Sequence, residues 1–283
     1  MSSAPGYTTH SFRHDEHRLV YDVYGEGPRV LVYLHGLLLD SDLNRGITAA
    51  LAREGNRVVL LDLLGHGRSD RPLHAAEYRI DSYAEQVIAL LDHLGVEEAI
   101  LGGLSLGANV SLFAASRHPE RVRGLILEMP VLEWAVPFAA LTFVPLLLAA
   151  HYGRRILTPI TATVRRLPDL PFGPANSLLH AAATPPRAMS AILHGVLVGP
   201  VAPTQDERRE LQAPTLVLAH RHDAIHPFDD ARNLVEQLPD AVLVPATSSL
   251  ELRLRPDRLT ARVEAFVAQA WSSPRKGTGR AAS

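Results

Sequence analysis

No cysteine occurs in the 283 residues. That absence excludes a disulfide framework, thiolate metal sites, iron–sulfur clusters and a cysteine nucleophile. Lysine is almost missing as well, with Lys276 standing alone against 27 arginines. Neither charge is in excess: 28 basic and 30 acidic residues leave a formal net charge of −2. A nucleic-acid partner, which calls for a basic surplus, is therefore not expected. Met1 to His17 is polar, with no apolar stretch of the signal-peptide kind, so a cytoplasmic location is expected. One segment, Trp134 to Ala150, runs for 17 uncharged and mostly apolar residues interrupted by Pro137 and Pro145. It only reaches the short end of the roughly 17–25 residues a membrane span needs. The preferred reading is a broken apolar helix over a binding pocket, so membrane association is not expected. An interfacial anchor and a true span are the alternatives.

What is present is ample material for a core, 47% of the chain being hydrophobic. The length suits one large domain, or one domain carrying an insertion. Short apolar runs alternate with helical patterns, which predicts βαβ units and an α/β fold with a mostly parallel, doubly wound sheet. Strands are predicted at Arg18–Tyr24, Arg29–Leu34, Val58–Leu63, Ala99–Gly103, Gly124–Met129, Thr215–Ala219 and Ala241–Val244. Helices are predicted at Asp42–Arg53, Ser82–Leu94, Leu106–His118 and Pro256–Ala270. The alternation breaks from Val131 to about Arg209, where eight prolines fall between Pro137 and Pro186. That stretch reads as an inserted helical cap. The expected organisation is a core of 18–130 and 210–271, a cap of 131–209, and a disordered Ser/Gly-rich tail of 272–283.

The most informative stretch is Gly103-Leu104-Ser105-Leu106-Gly107, a G-x-S-x-G at a strand-to-helix junction. A serine at the tip of so tight a turn takes a strained backbone conformation, and glycine on both sides removes steric conflict. The turn would expose the Ser105 hydroxyl at the carboxyl edge of the sheet and aim the helix start at a developing oxyanion. By accident alone the pattern arises in a chain of this length with probability roughly 0.1. Its setting between a strand and a helix lowers that about tenfold.

These residues, with Leu34-His35-Gly36, Gly65-His66-Gly67-Arg68-Ser69-Asp70, His118-Pro119-Glu120-Arg121-Val122 and Ala213-Pro214-Thr215-Leu216-Val217, resemble the α/β-hydrolase fold superfamily in its single-domain branch with a helical cap. The resemblance covers roughly Val20 to Val267. It implies Ser105 as nucleophile and the backbone N–H groups of Leu37 and Leu106 as oxyanion hole, with His35, His66 and Asp70 shaping loops. It also implies Asp223, in the loop after the strand Thr215–Ala219, as the acid; Glu128 is an alternative location.

The base does not fall where the resemblance puts it. The family's histidine position, in the loop after the last strand, lands on Ser249, and His226 is the last of the fourteen histidines. Three readings stay open. His226 supplies the base from the same loop as Asp223; or a cap histidine (His151, His180 or His194) reaches down; or no base exists. His226 is the one carried forward. The expected function is hydrolysis of a small or medium apolar ester or lactone through an acyl-Ser105 intermediate. Phe138, Leu141, Phe143, Leu146, Leu147 and Leu148 would line a dry pocket or simply pack the cap on the sheet. The alternative is a catalytically impaired relative serving as a small-molecule binding or sensor protein. No metal or cofactor is implied.

Overall fold

The computed structural model describes residues 6–52 and 55–274. Eight strands form one sheet: β1 (Tyr7–His14), β2 (His17–Tyr24), β3 (Arg29–Leu34), β4 (Asn56–Asp62), β5 (Ala99–Leu104), β6 (Val122–Glu128), β7 (Thr215–His220) and β8 (Ala241–Ala246). Their spatial order is β1-β2-β4-β3-β5-β6-β7-β8. β2 runs antiparallel to both β1 and β4, and every other pair is parallel. The strand order turns back on itself between β3 and β5. Loops leaving these two strands therefore diverge at the carboxyl edge, where open α/β sheets place their ligands.

Helices α1 (Arg45–Leu51), α2 (Ile80–His93) and α3 (Leu106–Arg117) connect the first strands. Five helices follow β6: α4 (Val136–Tyr152), α5 (Arg154–Val164), α6 (Gly173–Ala182), α7 (Pro186–Val198) and α8 (Gln205–Arg209). The chain then returns to the sheet, with α9 (Phe228–Gln237), α10 (Glu251–Leu254) and α11 (Asp257–Ser272) flanking the last strands. Alternation along the buried strands produces the double winding. Val32, Leu34, Val59 and Leu61 join one cluster with side chains of α2 and α3, while Leu31, Tyr33, Val58 and Leu60 join another with α1 and α11. Each fully buried aliphatic side chain contributes about 1.5–3 kcal/mol relative to exposure.

Polar side chains tie the α4–α8 segment to the sheet at both of its ends. The Asn109 amide on α3 donates to the carbonyls of Val131 (2.6 Å) and Val201 (2.7 Å) and accepts from Val131 N–H at 2.9 Å. The buried Asp230 carboxylate at the start of α9 accepts from the N–H groups of Leu132, Trp134 and Ala135. Arg208, fully buried, donates to Glu133 at 2.5 Å.

Four expectations need correction. The chain adds an edge strand, β1, that its polar sequence concealed. The helix expected over Asp42–Arg53 begins as a 3-10 turn at Ser41–Asn44 and becomes α-helical only from Arg45, with residues 53 and 54 outside the described residues. The apolar side chains of α4 do not form a buried core between cap and sheet. Phe138, Leu141 and Leu148 face solvent, Phe143, Leu146 and Leu147 are half-buried, and only Ala150 of this helix is buried. The expected disordered tail overlaps α11 at Ser272, and its residues 275–283 lie outside the described residues.

Candidate active site

Ser105 caps the junction of β5 and α3 with φ +53° and ψ −108°. A non-glycine residue in this region stores strain, and only a well-determined surround holds it there. The two glycines supply that surround. A Cβ on Gly103 would lie 2.7 Å from the Leu34 carbonyl oxygen and 2.9 Å from Gly107 Cα. A Cβ on Gly107 would meet Leu34 Cβ at 2.7 Å and the Leu34 carbonyl oxygen at 2.8 Å. The elbow is thus pressed against the end of β3, closer than any larger residue permits. Leu38 (φ +63°) and Met129 (φ +48°) are also left-handed. Three strained non-glycine residues therefore gather at one edge of the sheet, following β3, β5 and β6. Ser105 N–H donates to the Glu128 carbonyl at 2.8 Å, which fixes the elbow to the neighbouring strand.

His226 Nε2 lies 2.9 Å from Ser105 Oγ, and His226 Nδ1 lies 2.8 Å from Asp223 Oδ1. With Nδ1–H donating to the carboxylate, Nε2 is left to accept from the serine hydroxyl. The short loop after β7 makes this possible. Asp223 Oδ1 also accepts from the backbone N–H groups of Ile225 and His226, both at 2.9 Å, an Asx-type turn that folds the imidazole back over its own carboxylate. The loop is closed by Pro227, which opens α9.

Ser249 supplies the remaining contact. It follows β8, and its Oγ donates to Asp223 Oδ2 at 2.5 Å. The position that the family resemblance reserves for histidine is thus occupied by a hydroxyl bonded to the acid. Burial alone would push the Asp223 carboxyl up. The hydrogen bonds from His226, Ser249 and Ile225 outweigh it and hold the group well below the usual carboxylate range.

The remaining sequence candidates are placed elsewhere. His35 Nδ1 donates to the Gly36 carbonyl, and its Nε2 accepts from Leu63 N–H at 3.1 Å, so this ring shapes two loops. His66 packs against His35 with its Nδ1 on the Leu64 carbonyl. Asp70 accepts from Arg18 N–H. Glu128 receives the Tyr33 hydroxyl and the Arg253 guanidinium, and so is committed to a buried network on another face of the sheet. Among the cap histidines, His180 is bonded to Asp40 and Asp169, and His151 reaches Ser190 at 3.4 Å. His194 is exposed on α7. Leu106 is the first residue of α3, so its N–H belongs to the helix-start donors that have no carbonyl partner within the helix. Leu37 follows His35-Gly36 just past the end of β3 and is half-buried. The sequence did not identify Ser249 as a partner of the acid, nor Asn109 and Asp230 as the ties of the cap; no local pattern marks contacts between loops so far apart in the chain.

The model of the alpha/beta hydrolase fold family matches residues 29–150. The chain is 30% identical over 256 residues to the AB hydrolase superfamily protein YisY of Bacillus subtilis, covering 85% of this chain and 91% of that one. It is 31% identical over 201 residues to a 2-hydroxymuconate semialdehyde hydrolase of Pseudomonas putida, covering 66% and 67%. Among solved structures, a bacterial membrane phospholipase A superposes with a TM-score of 0.76 at 25% identity, covering 95% of this chain and 88% of that one. Sheet order, serine elbow and 30% identity over most of the length of YisY agree, and the chain belongs to the α/β-hydrolase fold superfamily.

Proposed function

We propose that this hydrolase acts by nucleophilic acyl transfer through Ser105, with His226 as general base and Asp223 as the acid that orients it. The observation that carries the reading is the 2.9 Å contact between His226 Nε2 and Ser105 Oγ. A serine hydroxyl is a weak nucleophile until a base within hydrogen-bond reach takes its proton. In the proposed cycle Oγ attacks the acyl carbonyl as His226 Nε2 takes the proton. The N–H groups of Leu37 and Leu106 hold the resulting oxyanion. The tetrahedral species then collapses, the protonated imidazole returns its proton to the leaving alkoxide, and an acyl-Ser105 ester remains. Water, deprotonated by the same imidazole, hydrolyses that ester and restores the serine. Asp223 holds the imidazole in the required tautomer and stabilises its charged form.

The substrate class proposed is a small or medium apolar ester or lactone. Leu37, Leu38 and Leu39 follow the oxyanion turn half-buried, Leu37 and Leu38 packing on the main apolar cluster, so the chain beside the proposed oxyanion donors is apolar. A relative named as a semialdehyde hydrolase and a neighbour titled a phospholipase A accord with hydrolysis of carbonyl compounds. Labelling with a fluorophosphonate tests the reading. Wild type should be modified at Ser105 and the Ser105→Ala variant should not; an unlabelled wild type would leave a binding or sensor role in its place.

A further inference from the structure

Helix α4 presents to solvent a stripe that a soluble cap has no reason to keep. Phe138, Leu141, Pro145, Leu148 and Tyr152 recur at alternating spacings of three and four residues, so they share one face. All five are exposed, Leu141 at 77% and Tyr152 at 78%. The opposite face, with Phe143, Leu146 and Ala150, is turned inward, and α4 packs on α7. Aromatic side chains stand at both ends of the stripe: Trp134, 61% exposed, precedes the helix and Tyr152 closes it. Trp and Tyr suit the boundary between apolar and aqueous phases.

Charge is distributed in the same sense. Residues 134–168 contain four arginines (Arg154, Arg155, Arg165 and Arg166) and no carboxylate, in a chain whose net charge is −2. Gly153 ends α4, and α5 leaves it at 100°, so Arg154 and Arg155 begin where the stripe stops. A cleft of about 520 Å³ on this elbow is lined by Arg154, Arg155, Arg165, Arg187, Thr158 and Thr161, and no acidic residue contributes to it. Most other arginines with a buried or half-buried neighbourhood, such as Arg45, Arg68 and Arg253, are ion-paired. Among the described residues these four cleft arginines have no carboxylate partner. The Thr158 and Thr161 hydroxyls donate to the carbonyls of Arg154 and Thr158, and Arg165 spends one N–H on the Ala183 carbonyl, so the remaining N–H groups of the four unneutralised guanidinium groups form the receptor for a phosphate group.

We infer that the α4–α5 elbow docks on an anionic lipid surface, the apolar stripe entering the acyl boundary and the arginine cleft taking a phospholipid phosphate. Among the described residues no single helix is long and apolar enough to cross a membrane, and α4 and α5 reach that length and apolarity only as a pair bent by 100°. With Arg154 and Arg155 at the bend, the contact inferred is a surface one. A second copy of the chain suits the elbow less well, because a symmetric pair would bring two arginine clusters together without a counter-charge. The inference does not rest on the acyl-transfer reading.

Co-sedimentation of the full chain with vesicles tests it, with Trp134 fluorescence as a second readout. The protein should bind mixed phosphatidylcholine–phosphatidylglycerol vesicles, release at high salt, and bind pure phosphatidylcholine much more weakly. Arg154→Gln with Arg155→Gln should weaken partitioning about thirtyfold, from the usual effect of two basic residues near an anionic surface. Leu141→Glu with Leu148→Glu should abolish the blue shift of Trp134; because these side chains face solvent, circular dichroism should be unchanged. Equal binding to neutral vesicles, binding unaffected by either double variant, or no binding to anionic vesicles would each overturn the inference. So would binding of inorganic phosphate alone, or a dimer that Leu141→Glu converts to a monomer while vesicles are ignored.

Discussion

Replacing Ser249 with alanine removes the one side-chain donor to Asp223 Oδ2 and leaves the three contacts on Oδ1 in place. A hydrogen bond to a charged group contributes about 1.5–3 kcal/mol. The Asp223 side chain is 10% exposed, so water replaces part of the lost contact and the lower end applies. The bond is present in the resting enzyme, so only its strengthening as the imidazole becomes charged counts in kcat/KM. With about 1.4 kcal/mol equal to tenfold in rate, kcat/KM for a short-chain ester should fall measurably but by no more than about tenfold. The stability effect has a definite pH dependence. A carboxylate whose folded pKa is depressed contributes stability above its unfolded pKa, about 3.9, and loses it as pH falls through the folded value. Without Ser249 the folded pKa of Asp223 moves back toward the ordinary range. The stability gap between wild type and Ser249→Ala should therefore be full at pH 7 and narrow below about pH 4. Urea denaturation across this range, with steady-state kinetics at pH 7, measures both quantities. A variant indistinguishable from wild type in rate and in stability would refute the role given to Ser249. A loss of 10⁴ or more would refute it in the other direction, since a positioning hydroxyl does not act on that scale.

Two further substitutions probe the framework of the site. Gly107→Ala forces a Cβ to within 2.8 Å of the Leu34 carbonyl oxygen, so the elbow must shift; a destabilisation of about 1–3 kcal/mol with a reduced kcat is expected from urea melts and ester hydrolysis. Asn109→Ala cuts three hydrogen bonds that join Val131 to Val201, and about 1–3 kcal/mol of stability should be lost. Limited proteolysis should then cut first within residues 131–209; an unchanged cleavage pattern would show that the cap is held by other contacts.

The parallel strands were legible because each is a short apolar run bounded by turn residues, and burial on both faces is what such a run reports. β1 was not, since a two-residue turn at Asp15-Glu16 joins it to β2 and only Phe12 of its eight residues is buried. An edge strand facing water carries no apolar alternation to read. Ser105 was legible for a steric reason: the glycines on either side meet the backbone of β3, and few other sequences fit there. His226 was carried forward as the candidate base but could not be singled out from the cap histidines, because the sequence leaves unsaid which loop bends toward which. The Asx-type turn at Asp223 folds His226 back to within 2.9 Å of the serine hydroxyl. The apolar helix α4 illustrates the opposite difficulty. With no charged residue on any side, its sequence gives no polar face to orient it, and the outward stripe emerges only from packing against α7.

The central claim is that one loop supplies both the acid and the base. Steady-state hydrolysis of a short-chain ester by His226→Ala, beside His151→Ala and His180→Ala, tests it most directly. Removing the base should lower kcat by about 10⁴–10⁶, while the two cap variants stay within a few-fold of wild type. A His226→Ala enzyme that keeps wild-type kcat would contradict the account.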